Sequence, residues 1–214
     1  DGKNHGLVFI LDWSGSMSRE MLDTVKQLYN LIWFCKKVSI PFDVYAFTNE
    51  WKRREQDPTG QWNARDNELP YEVQEYNLRV EEDFSLMNLL TSKVRTNELE
   101  HQLKNIWRIA SVFYNTYGSR YSYPTRLCLS GTPLNEALIT LHKLLPKFQK
   151  DNNVEKVQCI ILTDGEANSM PYHVEVKDYF NSDEYKMGLR GINPSNCSLR
   201  DRSLGKVYKF GYSW

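Results

Sequence analysis

The stretch Leu7-Val8-Phe9-Ile10-Leu11-Asp12-Trp13-Ser14-Gly15-Ser16 decides how the rest of the chain is read. Five consecutive apolar residues show no alternation between a wet and a dry side. Leu7 to Leu11 is therefore expected to be a strand buried on both faces, as strands of parallel sheets are. It ends in an aspartate and a turn of small residues. Far downstream, Val157-Gln158-Cys159-Ile160-Ile161-Leu162-Thr163 repeats the pattern and is closed by Asp164 and Gly165.

The intervening segments supply helices. Ser18 is a plausible N-cap, and Val25, Leu28, Ile32 and Cys35 share one face of a helix expected to run to about Val38. Pro41 stops it, and Phe42 to Thr48 reads as another strand. A polar insertion follows over 49–85, with Pro58-Thr59-Gly60 as a turn and an edge strand near 75–81. Leu99, Leu103, Ile106, Ala110 and Phe113 mark a helix over about 97–114. Another helix opens with Thr132 as N-cap and Pro133 at its first position, and carries the stripe Leu134, Ala137, Leu138, Leu141, Leu144, Leu145 and Phe148. Residues 166–196 read as irregular, and Ser198–Asp201 and Lys206–Lys209 flank a turn as a hairpin. Alternation of strands and helices predicts an α/β fold with a doubly wound, mostly parallel, Rossmann-like sheet, which binds ligands at the carboxyl ends of its strands. The chain is expected to be a single domain over 1–214 with its core in 6–164, lacking the last elements of such a sheet.

Asp12 and Asp164 both fall at carboxyl strand ends, and Thr132 at a helix mouth after Ser130-Gly131. With Ser14 and Ser16 they offer two carboxylates and three hydroxyls. These hard oxygen donors suit Mg²⁺ or Mn²⁺ and are poor for zinc, which prefers nitrogen and sulfur. Two carboxylates formally balance one dication; where they bind partly through water, the metal stays electrophilic with a position open, which an Asp or Glu of another protein can fill. Each piece also has a plainer reading: Thr132 as only a cap, Ser14 and Ser16 as a tight turn, Asp164-Gly165 as an ordinary turn. The metal reading draws on their conjunction.

Asp12-Trp13-Ser14-Gly15-Ser16, Ser130-Gly131-Thr132-Pro133-Leu134 and Leu162-Thr163-Asp164-Gly165-Glu166 together resemble the metal-ion-dependent adhesion site of von Willebrand factor A domains (vWA domains). The resemblance implies that Ser14, Ser16 and Thr132 bind the cation directly, with Asp12 and Asp164 acting directly or through water. Leu11-Asp12-Trp13-Ser14-Gly15-Ser16-Met17, Gly131-Thr132-Pro133-Leu134-Asn135-Glu136-Ala137 and Tyr208-Lys209-Phe210-Gly211-Tyr212 are most similar to the CobT-type cobalt-chelatase subunit and its relatives in large tailed bacteriophages. That likeness implies a metal-dependent protein-binding module, not itself an enzyme, working with an AAA+ ATPase or chelatase subunit. The 49–85 and 166–205 stretches are long for an A domain.

Trp13, Gly131 and Glu166 are candidates for partner binding, although Trp13 reads equally well as packing over the loop and Glu166 as a solvated residue. Trp51, Trp62, Tyr71 and Tyr76 read as a small core within the insertion or as a docking surface. Lys52-Arg53-Arg54 and Glu81-Glu82-Asp83 read as solvated surface. The rival class is a Mg²⁺-assisted hydrolase, a peptidase or phosphatase with Asp12 as nucleophile. Such chemistry usually wants a second carboxylate close behind the first, where this chain has Ser14. A scaffold with a vestigial site is a third reading. No H-E-x-x-H, G-x-S-x-G or phosphate-loop motif occurs.

The 27 basic and 27 acidic residues cancel, which argues against a nucleic-acid partner. No apolar run reaches the ~20 residues that span a bilayer, so no membrane partner is expected. The start Asp1-Gly2-Lys3-Asn4 does not read as a signal peptide, and the absence of an initial Met suggests an excerpt of a longer protein. Cys35, Cys128, Cys159 and Cys197 form no C-x-x-C pair and are expected to be reduced thiols in a bacterial or phage-infected cytoplasm.

Overall fold

The computed structural model describes residues 4–50, 59, 71–81, 83–114, 122–165, 167–177, 185–193, 195, 197–201 and 203–209. The chain divides into two compact units, Asp1–Arg65 with Asp83–Asn168, and Asp66–Glu82 with Ser169–Trp214.

The first unit is an α/β assembly. Strand β1 (His5–Asp12) leads through a 3-10 turn at Ser16–Ser18 into helix α1 (Met21–Lys37), then β2 (Phe42–Asn49) and β3 (Phe84–Thr91). Helix α2 (Thr96–Tyr114), helix α3 (Leu134–Asn152) and strand β4 (Lys156–Leu162) complete it. The sheet order is β3-β2-β1-β4, with β1 parallel to both β2 and β4 and β3 antiparallel to β2. β1 is thus flanked on both sides, which explains its uninterrupted apolar run. β3 was not anticipated from the sequence. Its segment Leu86-Met87-Asn88-Leu89-Leu90 is rich in good helix formers, and pairing with β2 overrides that preference.

Helices cover both faces. Leu7, Phe9, Leu11, Phe42, Val44 and Ala46 pack against Val25, Leu28 and Ile32 of α1 and Leu99, Leu103 and Ile106 of α2. On the other face Val8, Ile10 and Phe47 meet Ala137, Leu141 and Phe148 of α3. Burying each such side chain contributes about 1.5–3 kcal/mol before conformational entropy is charged against it. Gly6 makes room for α3, since a Cβ there would lie 2.5 Å from Phe148 Cε1.

The helix limits follow from local chemistry. α1 carries Asp23 in its first turn and Lys36 and Lys37 in its last, complementing the dipole. It ends where Ser39 takes a left-handed φ of 57°, with Ser39 N–H donating to Lys36 O and Ile40 N–H to Cys35 O. α3 ends similarly, at Asn153 with φ 50°. Two expected caps are corrected. α1 begins at Met21 after Glu20, because Ser18 is taken up by the 3-10 turn. α3 begins at Leu134 after Pro133, so Thr132 lies one residue outside the expected cap position, and no side chain caps the helix. Leu138, placed on the apolar stripe, is 42% exposed.

All four cysteines are free. Burial pushes the Cys35 thiol up to about 11 and raises that of Cys159. The thiolate is the nucleophile, so at pH 8 only about one Cys35 in a thousand is reactive. Iodoacetamide at that pH is expected to alkylate Cys128 and Cys197 well before Cys35. Mass mapping showing Cys35 among the first sites labelled would contradict this packing.

The second unit contains two antiparallel hairpins, β5 (Tyr172–Lys177) with β6 (Tyr185–Arg190) and β7 (Ser198–Asp201) with β8 (Lys206–Lys209). The expected hairpin at 198–209 is present. Asp201 Oδ1 shapes its turn by accepting from Ser203 N and Leu204 N, and Gly205 supplies a φ of 65°. The first hairpin lies in the stretch read as irregular. The edge strand expected near 75–81 is reduced to a single bridge between Leu78 and Tyr172. Tyr71 accepts a hydrogen bond from Val80 N–H at 3.0 Å and meets the buried His173 edge-on, so it belongs to a local core, whereas Tyr76 is 70% exposed. Trp51, Trp62 and Lys52-Arg53-Arg54 lie outside the described residues. No described helix is long and apolar enough to cross a membrane.

Candidate metal centre

In the order β3-β2-β1-β4 the chain moves from β1 to β2 on one side and later returns to the other side of β1 as β4. A reversal of this kind is where doubly wound sheets bind ligands, outside the carboxyl ends of the strands. Asp12 is the last residue of β1, and Asp164 lies two residues past the end of β4.

Asp12 is wholly buried. Its Oδ1 accepts the Ser14 backbone N–H at 3.0 Å, and its Oδ2 accepts the Thr163 hydroxyl at 2.6 Å. Above it the hydroxyls of Ser14 and Ser16 lie 3.0 Å apart, and Ser16 Oγ donates to Asp164 Oδ1 at 3.1 Å. A hydroxyl has one proton, and that of Ser16 is committed to Asp164. Ser14 must then donate to Ser16, giving a relay from Ser14 through Ser16 to Asp164. The Ser14 oxygen keeps its lone pairs.

The Thr132 segment is stitched to both neighbours. Ser14 and Ser130 form a parallel bridge, Gly15 N–H donates to Ser130 O at 2.8 Å, and Ser130 N–H donates to Trp13 O at 3.3 Å. On the other side Asn168 N–H donates to Thr132 O at 3.0 Å, and Asn135 Nδ2 donates to Asn168 O at 2.9 Å. Gly131 is required here, because a Cβ would overlap the Asn49 carboxamide oxygen. Asn49 is itself anchored through Nδ2 to Asp83 Oδ1 at 2.9 Å. Among the described residues, the Thr132 hydroxyl makes no side-chain hydrogen bond.

Of the five expected ligands, Ser14, Ser16 and Asp164 are in direct contact, Asp12 underlies them, and the Thr132 segment runs alongside. Trp13, expected as a partner contact, is 1% exposed and turned into the core, so its side chain does not line a partner groove. Glu166 lies outside the described residues. Thr163 was missed. Its hydroxyl donates to Asp12 while accepting Gly165 N–H at 3.3 Å, so it orients the carboxylate and starts the turn at Asp164. A hydroxyl residue directly before the strand-end aspartate was the available clue.

Among the described residues no group of three or more His, Cys, Asp or Glu side chains is arranged to hold a metal ion. This site has only two carboxylates, and its remaining donors are hydroxyls. That donor set fits a hard dication at neutral net charge and does not fit zinc. Compared with family models, characterised proteins and solved structures, the chain shows no match.

Proposed function

We propose that the chain is a metal-ion-dependent protein-binding module of the von Willebrand factor A type, in which Mg²⁺ or Mn²⁺ bridges this site to an Asp or Glu of a partner. What supports the reading is one juxtaposition. Oxygen groups 148 residues apart, Ser16 Oγ and Asp164 Oδ1, meet at 3.1 Å, and Ser16 Oγ lies 3.0 Å from Ser14 Oγ, whose backbone N–H is held by Asp12. Like-charged groups and hydroxyls gathered at a strand-end crevice find a natural counter-charge in a hard cation. Ser14, Ser16 and Thr132 would hold it directly, and Asp12 and Asp164 directly or through water. The resemblance to the CobT-type chelatase subunit makes an AAA+ ATPase or chelatase subunit, in a bacterial or phage-infected cytoplasm, the partner of choice.

The hydrolase reading is disfavoured by Asp12. It is wholly buried with both oxygens engaged, a poor state for a nucleophile. Titrating Mn²⁺ into the purified protein, with free ion followed by electron paramagnetic resonance, is expected to show one site per chain, displaced by excess Mg²⁺ and emptied by EDTA. No uptake up to millimolar Mn²⁺ would refute the proposal and leave a scaffold with a vestigial site.

A further inference from the structure

Trp13 occupies the second position of the metal loop, yet it is among the most deeply buried side chains of the molecule. Its indole N–H donates to Leu127 O at 2.9 Å, a contact spanning 114 residues. Its ring meets Phe113, near the end of α2, edge-on at 5.8 Å, and Phe113 in turn meets Tyr123 edge-on at 4.9 Å. Leu127 closes the 3-10 turn Thr125–Leu127, five residues before Thr132. The segment from Leu127 to Thr132 is half-buried, with Leu129 packed against the main core.

We infer that Trp13 is a positioning residue for the cation site. Its indole latches the Leu127 carbonyl and so sets the Thr132 hydroxyl in register with Ser14 and Ser16. The inference rests on the metal-binding reading above. The mechanism is geometric. Two backbone hydrogen bonds, Gly15 N–H to Ser130 O and Ser130 N–H to Trp13 O, form the parallel bridge between Ser14 and Ser130 and hold the two loops side by side. They hold the loop at Ser130, and Asn168 N–H holds the Thr132 carbonyl; the indole adds an anchor upstream, at Leu127, so that the Thr132 segment is tied on both sides of Ser130. A hydroxyl displaced by a fraction of an ångström loses much of its value as a ligand, since cation sites demand close distances.

Phenylalanine at this position keeps a buried ring and removes only the N–H, leaving the Leu127 carbonyl without that partner. W13F is expected to weaken Mn²⁺ binding about tenfold, the low end of what losing a neighbour that orients a metal ligand costs. The decisive measurement is a double-mutant cycle with Thr132→Ala. If Trp13 acts through Thr132, W13F in the Thr132→Ala background costs less than about twofold further. An equal tenfold drop in both backgrounds shows a merely structural role and overturns the inference. So does unchanged Mn²⁺ affinity of W13F. A wild-type protein that takes up no Mn²⁺ removes the functional reading itself, and this inference with it.

Should W13F not fold, the wild-type protein decides. The indole N–H of Trp13, assigned through its contact with Phe113, is expected to exchange slowly with and without Mg²⁺. Exchange as fast as that of an exposed indole overturns the latch.

Discussion

The proposed cation site predicts that Mn²⁺ stabilises the wild-type protein against heat and that Asp12→Asn abolishes the effect, with affinity falling by ~100-fold or more. Ligand binding to the native state alone stabilises it by RT ln(1 + [L]/Kd), so a midpoint that rises with Mn²⁺ concentration is a direct readout. Asp12 supplies half of the site's negative charge, and it underlies Ser14 and Thr163. Removing an orienting neighbour of a ligand alone costs about 10–100-fold in metal affinity, and here a charge is lost as well. Asparagine keeps an oxygen to accept the Ser14 N–H, so the metal-free protein should stay folded. Alanine leaves both the Ser14 N–H and the Thr163 hydroxyl unpaired and should cost a further ~1–3 kcal/mol of stability. Thermal unfolding of the Asn variant with and without millimolar Mn²⁺ is the test. A full shift persisting in that variant would place the cation elsewhere.

The largest stability effect is expected from Phe9→Ala. Phe9 is wholly buried at the centre of β1, in register with Val44 of β2 and Ile160 of β4. Its ring belongs to the core formed with α1 and α2, so truncation leaves a cavity that a strand paired on both sides cannot close. Truncations of this kind cost about 3–5 kcal/mol. Domains are stable by only about 5–15 kcal/mol, so a large part of the population would unfold on mild heating. Leu199→Ala, at a 53% exposed position of β7, serves as control and should change stability by less than ~0.5 kcal/mol. Urea titration with intrinsic fluorescence checks both. Equal midpoints for the two variants would mean that β1 is not the centre of the core.

Much of this was legible in the residues. A run of five apolar residues ended by Asp12, and a similar run ended by Asp164, located β1 and β4 and the two carboxylates together. Helical spacing at Val25, Leu28, Ile32 and Cys35, and at Leu99, Leu103, Ile106, Ala110 and Phe113, identified α1 and α2 and the faces they bury. These patterns are visible because burial by a sheet or a helix leaves a local period in the chain.

Other features were not read from the sequence. β3 is a strand only because β2 offers it an edge. The β5–β6 hairpin was legible and overlooked: Val174 and Val176 alternate with Glu175 and Lys177, and Asn181-Ser182-Asp183 stands between the two strands in sequence. Thr132 looks like a helix cap in sequence, and it lies outside the cap position because Pro133 takes that place.

For the loop after β1 and the segments beside it, the sequence by itself determined which oxygen donors the protein possesses and that two of them stand at strand ends. Only the tertiary structure decided that Ser16 meets Asp164, that Thr163 orients Asp12, and that Trp13 points inward to Leu127 rather than outward to a partner. The reason is physical. Donor chemistry and strand ends are properties of short segments, whereas each of these contacts joins residues more than 100 positions apart and exists only once the sheet has closed.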